Sequence, residues 1–339
     1  ITGIEMEPAQ KQAYNEFQDE LVTALREALR RGDKSLLSKY LQGLLCYPEQ
    51  PWNGEIVRDK AGDIVAMAAK LPEDMIYPKE AKLIGIIKKE RSEGRKVLVY
   101  CSHTDTRDMT ERLKTLLLRE NIRTEVLHSS VAPEKREAWI AAMVDKLDVL
   151  ITNPKLVQTG LDLIDFQTIV FQEIEYSVYV LRQASRRSWR IGQDKSVRVF
   201  YMVYEGTIQE KGLKLIAQKF KTSLAIEGEL MDDGLSTYNA DSGDLYYDLA
   251  RSIVTGVDTV KGSLDAIWGE IRVKERELLA ATTVDEPTED RTIEVVDIKG
   301  NVRVVNTLFE DLWKQLQEDR VTRAGRTRKA DERQLCLFQ

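Results

Sequence analysis

Over residues 7–31 the apolar side chains Ala13, Tyr14, Phe17, Leu21, Leu25 and Leu29 return every three or four positions, the period of a helix with one buried face. Gly32 marks its end, because glycine readily takes the left-handed conformation that closes a helix. A second helix is predicted over 33–46, opened by Asp33 as N-cap and stopped before Pro48. Residues 48–78, rich in Pro, Gly and Asp, read mostly as loop. From Lys79 onward, short apolar runs at 96–100, 124–127, 148–152, 168–171 and 197–203 alternate with helical stretches at 106–120, 133–144, 178–190 and 207–221. Several of these runs lack polar alternation, as strands do when helices cover both faces. The pattern predicts an α/β fold on a doubly wound parallel sheet. A helical N-terminal segment spans 1–78, the lobe itself 79–227, and an α+β extension 228–339. In the extension we expect a helix over 264–281, a hairpin over 292–305 turning at Lys299, Gly300 and Asn301, and a short helix over 308–318. An Arg-rich tail follows, carrying Arg320, Arg323, Arg326, Arg328 and Arg333.

Composition narrows the classes of function. With 339 residues, 42% hydrophobic and 31% charged, the chain has the balance of a globular protein with a solvated surface. Its length suits about two domains. The formal net charge of -6 excludes a generally basic nucleic-acid binder, so any DNA site must be a local patch. Cys46, Cys101 and Cys336 are widely separated and odd in number, which argues against a disulfide framework or a zinc cluster and for a reducing compartment. His103 and His128 are too few imidazoles for a histidine-rich metal site or a Ser/His/Asp triad to be a good expectation. There is no apolar run of about 18 residues and no signal peptide, so no membrane association is expected. Ile1 in place of Met leads us to expect further sequence upstream.

Candidate chemistry concentrates in Gln183-Ala184-Ser185-Arg186-Arg187-Ser188-Trp189-Arg190-Ile191-Gly192-Gln193. On a helix, Arg187 and Arg190 project from one face, and two guanidinium forks held there suit a polyphosphate. An arbitrary pair of arginines would more often be a solvated basic face. The surrounding letters reverse that reading, because the run resembles motif VI of superfamily 2 helicases in the form found in Swi/Snf-type DNA translocases. The resemblance implies the second RecA-like lobe of such a motor. It further implies that Arg187 and Arg190 reach the γ-phosphate of ATP held by another lobe, with Arg190 as arginine finger and Gln183 in the same catalytic set. Arg186 and Trp189 depart from the family, which usually has an acidic residue and frequently His there.

Upstream, Leu150-Ile151-Thr152-Asn153-Pro154-Lys155 leads into Gln158-Thr159-Gly160-Leu161-Asp162-Leu163, which is similar to motif V. By itself this is equally a tight strand-to-helix turn, but a loop at the carboxyl end of a parallel strand is where such sheets place ligands. Gly160 permits close backbone approach, and Thr159 and Asp162 offer a hydroxyl and a carboxylate. By resemblance, Thr159 and Asp162 couple nucleotide to DNA, while Thr152 and Asn153 touch a backbone phosphate. The run from Lys96 to Cys101-Ser102-His103-Thr104 resembles motif IV, whose hydroxyls can hold a phosphate. His128-Ser129-Ser130 with Arg136 resembles the next family segment, a turn that tracks the nucleic-acid backbone. The likeness covers residues 1–225 and leaves the extension outside.

No Gly-x-x-x-x-Gly-Lys-Ser/Thr loop and no magnesium-binding Asp-Glu pair occur in the sequence. The chain is therefore expected to be inactive as an ATPase alone, with ATP and Mg2+ bound mainly by an N-terminal RecA-like lobe and with double-stranded DNA as the track. At the C-terminus, Gln334, Leu335, Leu337 and Phe338 resemble the peptide by which bacterial DNA-processing proteins dock on the sliding clamp; equally, they suit a tail helix folded back on the protein. A bacterial or phage cytoplasm is the expected location. Two rival functions stay open: a non-catalytic nucleic-acid or clamp-binding scaffold, and an RNA helicase lobe.

Overall fold

The computed structural model describes residues 2–33, 36–104, 106–157, 161, 163–177, 180–181, 183–184, 187–188, 195–227, 249, 292–296 and 302–306. The chain divides into two compact units, Ile1–Glu275 and Arg276–Gln339. The first runs β1 (Thr2–Ile4), α1 (Pro8–Arg30), α2 (Leu36–Cys46), β2 (Glu55–Arg58), β3 (Ile64–Ala68), α3 (Pro78–Ser92), β4 (Val97–Tyr100), α4 (Thr110–Arg119), β5 (Thr124–Leu127), α5 (Arg136–Met143), β6 (Val149–Thr152), β7 (Thr168–Phe171), β8 (Arg198–Tyr204) and α6 (Ile208–Glu227).

Six strands form one sheet in the order β1-β8-β7-β4-β6-β5, and every pairing in it is parallel. All residues of β4, β6 and β7 are buried, which is why these segments read as continuous apolar runs. From β4 the chain crosses to edge strand β5, returns to β6, then passes to β7 and β8 on the other side of β4. The carboxyl ends of β6, β4 and β7 thus border the point where the winding reverses, where open α/β sheets bind ligands. The five strands expected from the sequence are all present, each within a residue or so of its predicted ends.

The N-terminal helix has the caps its letters imply. Glu7 accepts hydrogen bonds from the amides of Ala9 (3.0 Å) and Gln10 (3.1 Å), and Pro8 needs no helical partner. At the other end Gly32 has φ 76°, its amide reaches Leu29 O (3.0 Å), and Asp33 N reaches Ala28 O (2.9 Å), the Schellman arrangement. Ala13, Tyr14, Phe17, Leu21, Leu25 and Ala28 are buried. Burying each of the larger ones stabilises the fold by about 1.5–3 kcal/mol.

Two expectations need correction. Residues 48–78 are mostly loop and short turns as expected, but they also contain the unpredicted antiparallel pair β2 and β3, turning where Asp59 Oδ1 accepts Asp63 N–H (3.0 Å). Val57, Ala66 and Ala68 face inward while Ile56, Ile64 and Met67 are exposed, so both faces are apolar and the polar alternation that marks a strand is missing. The second correction is β1, which pairs with β8 from Thr2↔Met202 to Ile4↔Tyr204. The N-terminal segment therefore supplies the sheet's edge strand.

The same segment shares one buried core with the sheet, so the pattern change at Lys79 marks no break in packing. Its polar anchor is a buried ion pair between Glu49 and Lys79, whose side chains are 3% and 2% exposed. Gln209, at the start of α6, donates to Glu49 Oε1 (2.7 Å) and Leu45 O (2.9 Å) and accepts from Tyr204 N (3.2 Å) and Lys79 Nζ (3.3 Å). Three parts of the chain far apart in sequence are joined at this one place.

In the second unit β9 (Thr292–Val296) and β10 (Val302–Asn306) pair antiparallel with Val302 opposite Val296, as the predicted hairpin requires. Its predicted turn, the helices expected at 264–281 and 308–318, the Arg-rich tail, and Gln334, Leu335, Leu337 and Phe338 lie outside the described residues.

Candidate functional site

Loops following three neighbouring strands meet at the carboxyl edge of the sheet. Cys101 N donates to Thr152 O (3.0 Å), and the amides of Gln172 and Glu173 donate to Tyr100 O (3.1 and 3.2 Å), extending the strand ladders into the loops. Asn153 Nδ2 then donates to Ser102 O (2.8 Å) and Thr104 Oγ1 (3.3 Å). From the other side Ser102 Oγ donates to Glu173 O (3.4 Å) and His103 N to Glu173 Oε2 (2.9 Å). Thr104, Ser129 and Lys155 are exposed at this edge, with Lys155 Nζ 3.1 Å from Glu175.

The structure brings Ser102, His103, Thr104 and Asn153 together as the motif spacing implied, but it gives two residues other work. Thr152 is fully buried and its hydroxyl donates to Leu127 O (3.2 Å), binding β6 to β5 rather than a phosphate. Asn153 spends its amide nitrogen on Ser102 and Thr104 and its oxygen on Lys155 N (2.9 Å), so it shapes the motif IV loop instead of reaching outward. Arg136 is likewise internal: its Nε donates to Val131 O (3.1 Å) and its Nη1 to Leu156 O (2.9 Å).

Motif VI is tied to motif V. Leu163 N donates to Arg187 O (3.3 Å), and Tyr100 at the end of β4 donates its hydroxyl to Ala184 O (3.4 Å). Gln183 is half-buried. Arg187 is buried, in a turn where its amide donates to Ala184 O (3.4 Å), rather than projecting from a helix face as the three-residue spacing predicted. Burial pushes the Tyr100 hydroxyl above its ordinary range, and the positive charge of Arg187 partly offsets this. Thr159, Gly160, Asp162 and Arg190 lie outside the described residues. Among the described residues no group of three or more His, Cys, Asp and Glu side chains could hold a metal ion, and no helix is long and apolar enough to cross a membrane.

His103 is the group here whose charge is most altered. Burial lowers its proton affinity, but the contact with Cys46 (Sγ to Nε2 3.4 Å) and the Glu173 carboxylate 3.5 Å from Nδ1 more than reverse this and raise its pKa from the ordinary 6.5 to about 11. The folded chain holds this proton more tightly than the unfolded one. The stabilisation is complete below about pH 6.5 and is lost as pH rises through about 11. Urea unfolding midpoints are expected to fall with pH across that window, and less steeply in His103→Gln; identical slopes would show that His103 carries no linkage.

Residues 78–192, which span β4, β6, β7 and the loops just described, match the helicase conserved C-terminal domain. That stretch is a helicase C-terminal domain, and the relatives that share it are Snf2-family ATPases. The lobe is similar to the TATA-binding protein-associated factor BTAF1 of Arabidopsis thaliana, with 31% identity over 176 residues, covering 50% of this chain and 8% of that protein. It is 24% identical over 188 residues to the chromatin-remodeling ATPase INO80 of Saccharomyces cerevisiae, covering 55% of this chain and 12% of that one. Matched segments thus span only a small part of these relatives. Among solved structures, the C-terminal part of the Fun30 ATPase domain superposes with TM-score 0.53, covering 76% of this chain and 97% of that one at 16% identity, which shows the shared RecA-like fold.

The helicase C-terminal domain was legible because the letters that carry the resemblance are consecutive. The pairing of Cys46 and Glu173 with His103 had no such signal, since the two partners stand 57 and 70 residues from it.

Proposed function

We propose that the lobe is the second motor lobe of an ATP-dependent DNA translocase. It completes an ATP site that another RecA-like lobe holds, and it supplies half of a duplex DNA track. The observation carrying this reading is the convergence of motifs IV, V and VI at the winding reversal of a parallel sheet, with Leu163 of motif V hydrogen-bonded to Arg187 of motif VI. The relatives' descriptions as a chromatin-remodeling ATPase and as TATA-binding protein-associated factors support it.

In this reading Arg190 acts as the arginine finger, with Thr159, Gly160 and Asp162 linking nucleotide to DNA. Buried Arg187 positions the motif VI turn against β4. Ser102, Thr104, Ser129 and Lys155 present hydroxyls and one cation to the DNA backbone, while Thr152 and Asn153 hold those loops in place. ATP would bring its triphosphate with Mg2+ from the other lobe, since this sequence has no phosphate loop of its own.

The test uses the chain as it stands. We expect no magnesium-dependent ATP turnover above background, and salt-sensitive binding to duplex DNA, read by fluorescence anisotropy, that exceeds binding to duplex RNA. Measurable turnover by the pure chain would overturn the two-lobe reading, and a preference for RNA would reassign the track.

A further inference from the structure

At the motif IV loop, outside the roles given to the helicase motifs, a thiol, an imidazolium and a carboxylate stand in line. Cys46 Sγ, at the end of α2, lies 3.4 Å from His103 Nε2, and His103 Nδ1 lies 3.5 Å from Glu173 Oε2. Glu173 also accepts the His103 backbone N–H (2.9 Å), so one carboxylate fixes the loop and sets its negative charge beside the ring. Sulfur, imidazolium and carboxylate in that order are the elements of an activated nucleophile: a thiol, a cationic ring in reach of it, and an anion beside the ring.

Access is the second requirement. Cys46 is only 3% exposed, but it contributes to the wall of a cleft of about 390 Å³, together with Gln50, Asn53, Glu55, Thr106 and Arg107. The cleft is polar, and Arg107 and Glu55 close one side through paired bonds of 2.8 and 3.1 Å. Cys101 sits one strand end away without any of these advantages. It is fully buried, and burial together with the charges of Glu173, Glu49 and Asp108 pushes its thiol well above the usual range.

We propose that Cys46 is a peroxide-reactive modification site, with His103 as its proton partner and Glu173 as the residue that positions His103. In the step, the Cys46 proton leaves to solvent, which later returns one to His103, and the sulfur beside the protonated ring attacks one oxygen of a hydroperoxide entering the cleft. An S–O bond forms and the O–O bond breaks. Sulfur is oxidised to the sulfenic acid, the peroxide is reduced to water or an alcohol, and the leaving oxygen takes the proton from His103. Oxygen on Cys46 replaces its contact with His103, and so acts on the loop holding Ser102 and Thr104.

The experiment treats the full chain with hydrogen peroxide in the presence of a sulfenic-acid trap and quantifies each cysteine peptide by mass spectrometry. In the folded chain Cys46 should be trapped faster than Cys101, and faster than Cys46 of the same chain unfolded in urea, by about tenfold or more. His103→Gln and Glu173→Gln should each lower Cys46 trapping while Cys101 stays protected, which reports an intact fold. Protection of Cys46 to the level of Cys101 would overturn the proposal, as would a folded rate no higher than the unfolded rate. The comparison of folded with unfolded chain needs no variant and holds even if a substitution disturbs folding.

Discussion

Arg190→Ala, in the protein that joins this lobe to its ATP-holding partner lobe, is expected to cut DNA-stimulated ATP turnover by about 10³- to 10⁵-fold, the range for arginine fingers in P-loop enzymes. The argument is one of transition-state charge. A guanidinium placed across the cleft compensates charge that develops on the transferred phosphoryl group, so its loss acts on kcat more than on substrate binding. DNA affinity should change little, and Arg190→Lys should rescue poorly, because an ammonium lacks the planar fork. Steady-state turnover with saturating DNA, alongside a DNA titration, checks the split. If Arg190→Ala weakened DNA binding as much as turnover, the residue would be a structural part of the lobe and not its finger.

The second large effect belongs to stability. Lys79→Ala leaves Glu49 buried beside Gln209 and Gln172 without its cation, and breaking a buried pair in this way costs about 3–5 kcal/mol. Burial, the largest influence on Glu49, already raises its pKa; Lys79 opposes this, while Glu173 adds to it. Without Lys79 the folded state should bind a proton still more readily than the unfolded one, so the variant should regain stability as the pH falls and Glu49 becomes neutral. Urea unfolding at neutral and at mildly acidic pH measures both the loss and its partial recovery. Replacing the pair together, Lys79→Met with Glu49→Leu, should cost far less than Lys79→Ala. A Lys79→Ala loss below about 1 kcal/mol, within the range of an exposed pair, would show that the clasp does not hold the N-terminal segment to the sheet.

These two residues illustrate different kinds of legibility. Arg190 is singled out by its neighbours in sequence, because the resemblance to motif VI rests on consecutive letters. Lys79 and Glu49 are 30 residues apart, and each alone resembles an ordinary surface charge until both are seen buried together. The parallel strands were readable because β4, β6 and β7 bury both faces and so consist almost wholly of apolar residues. Strand β1 was missed for the opposite reason, since three residues offer too short a window for any period. The hairpin of β2 and β3 was missed because Ile56, Ile64 and Met67 keep its outer face apolar.

The sequence by itself determined the helicase domain, its α/β class and the positions of its main parallel strands along the chain. Those features depend on local period and local chemistry, and both are written in consecutive residues. Only the tertiary structure decided that Thr152 and Asn153 brace the loops instead of facing DNA, that Arg187 is buried, that the N-terminal segment lends the sheet its edge strand, and that Cys46, His103 and Glu173 fall into line. Each of these is set by which distant segments pack together. Burial then decides whether a polar group must find its partner inside the protein, and a linear pattern carries no measure of burial.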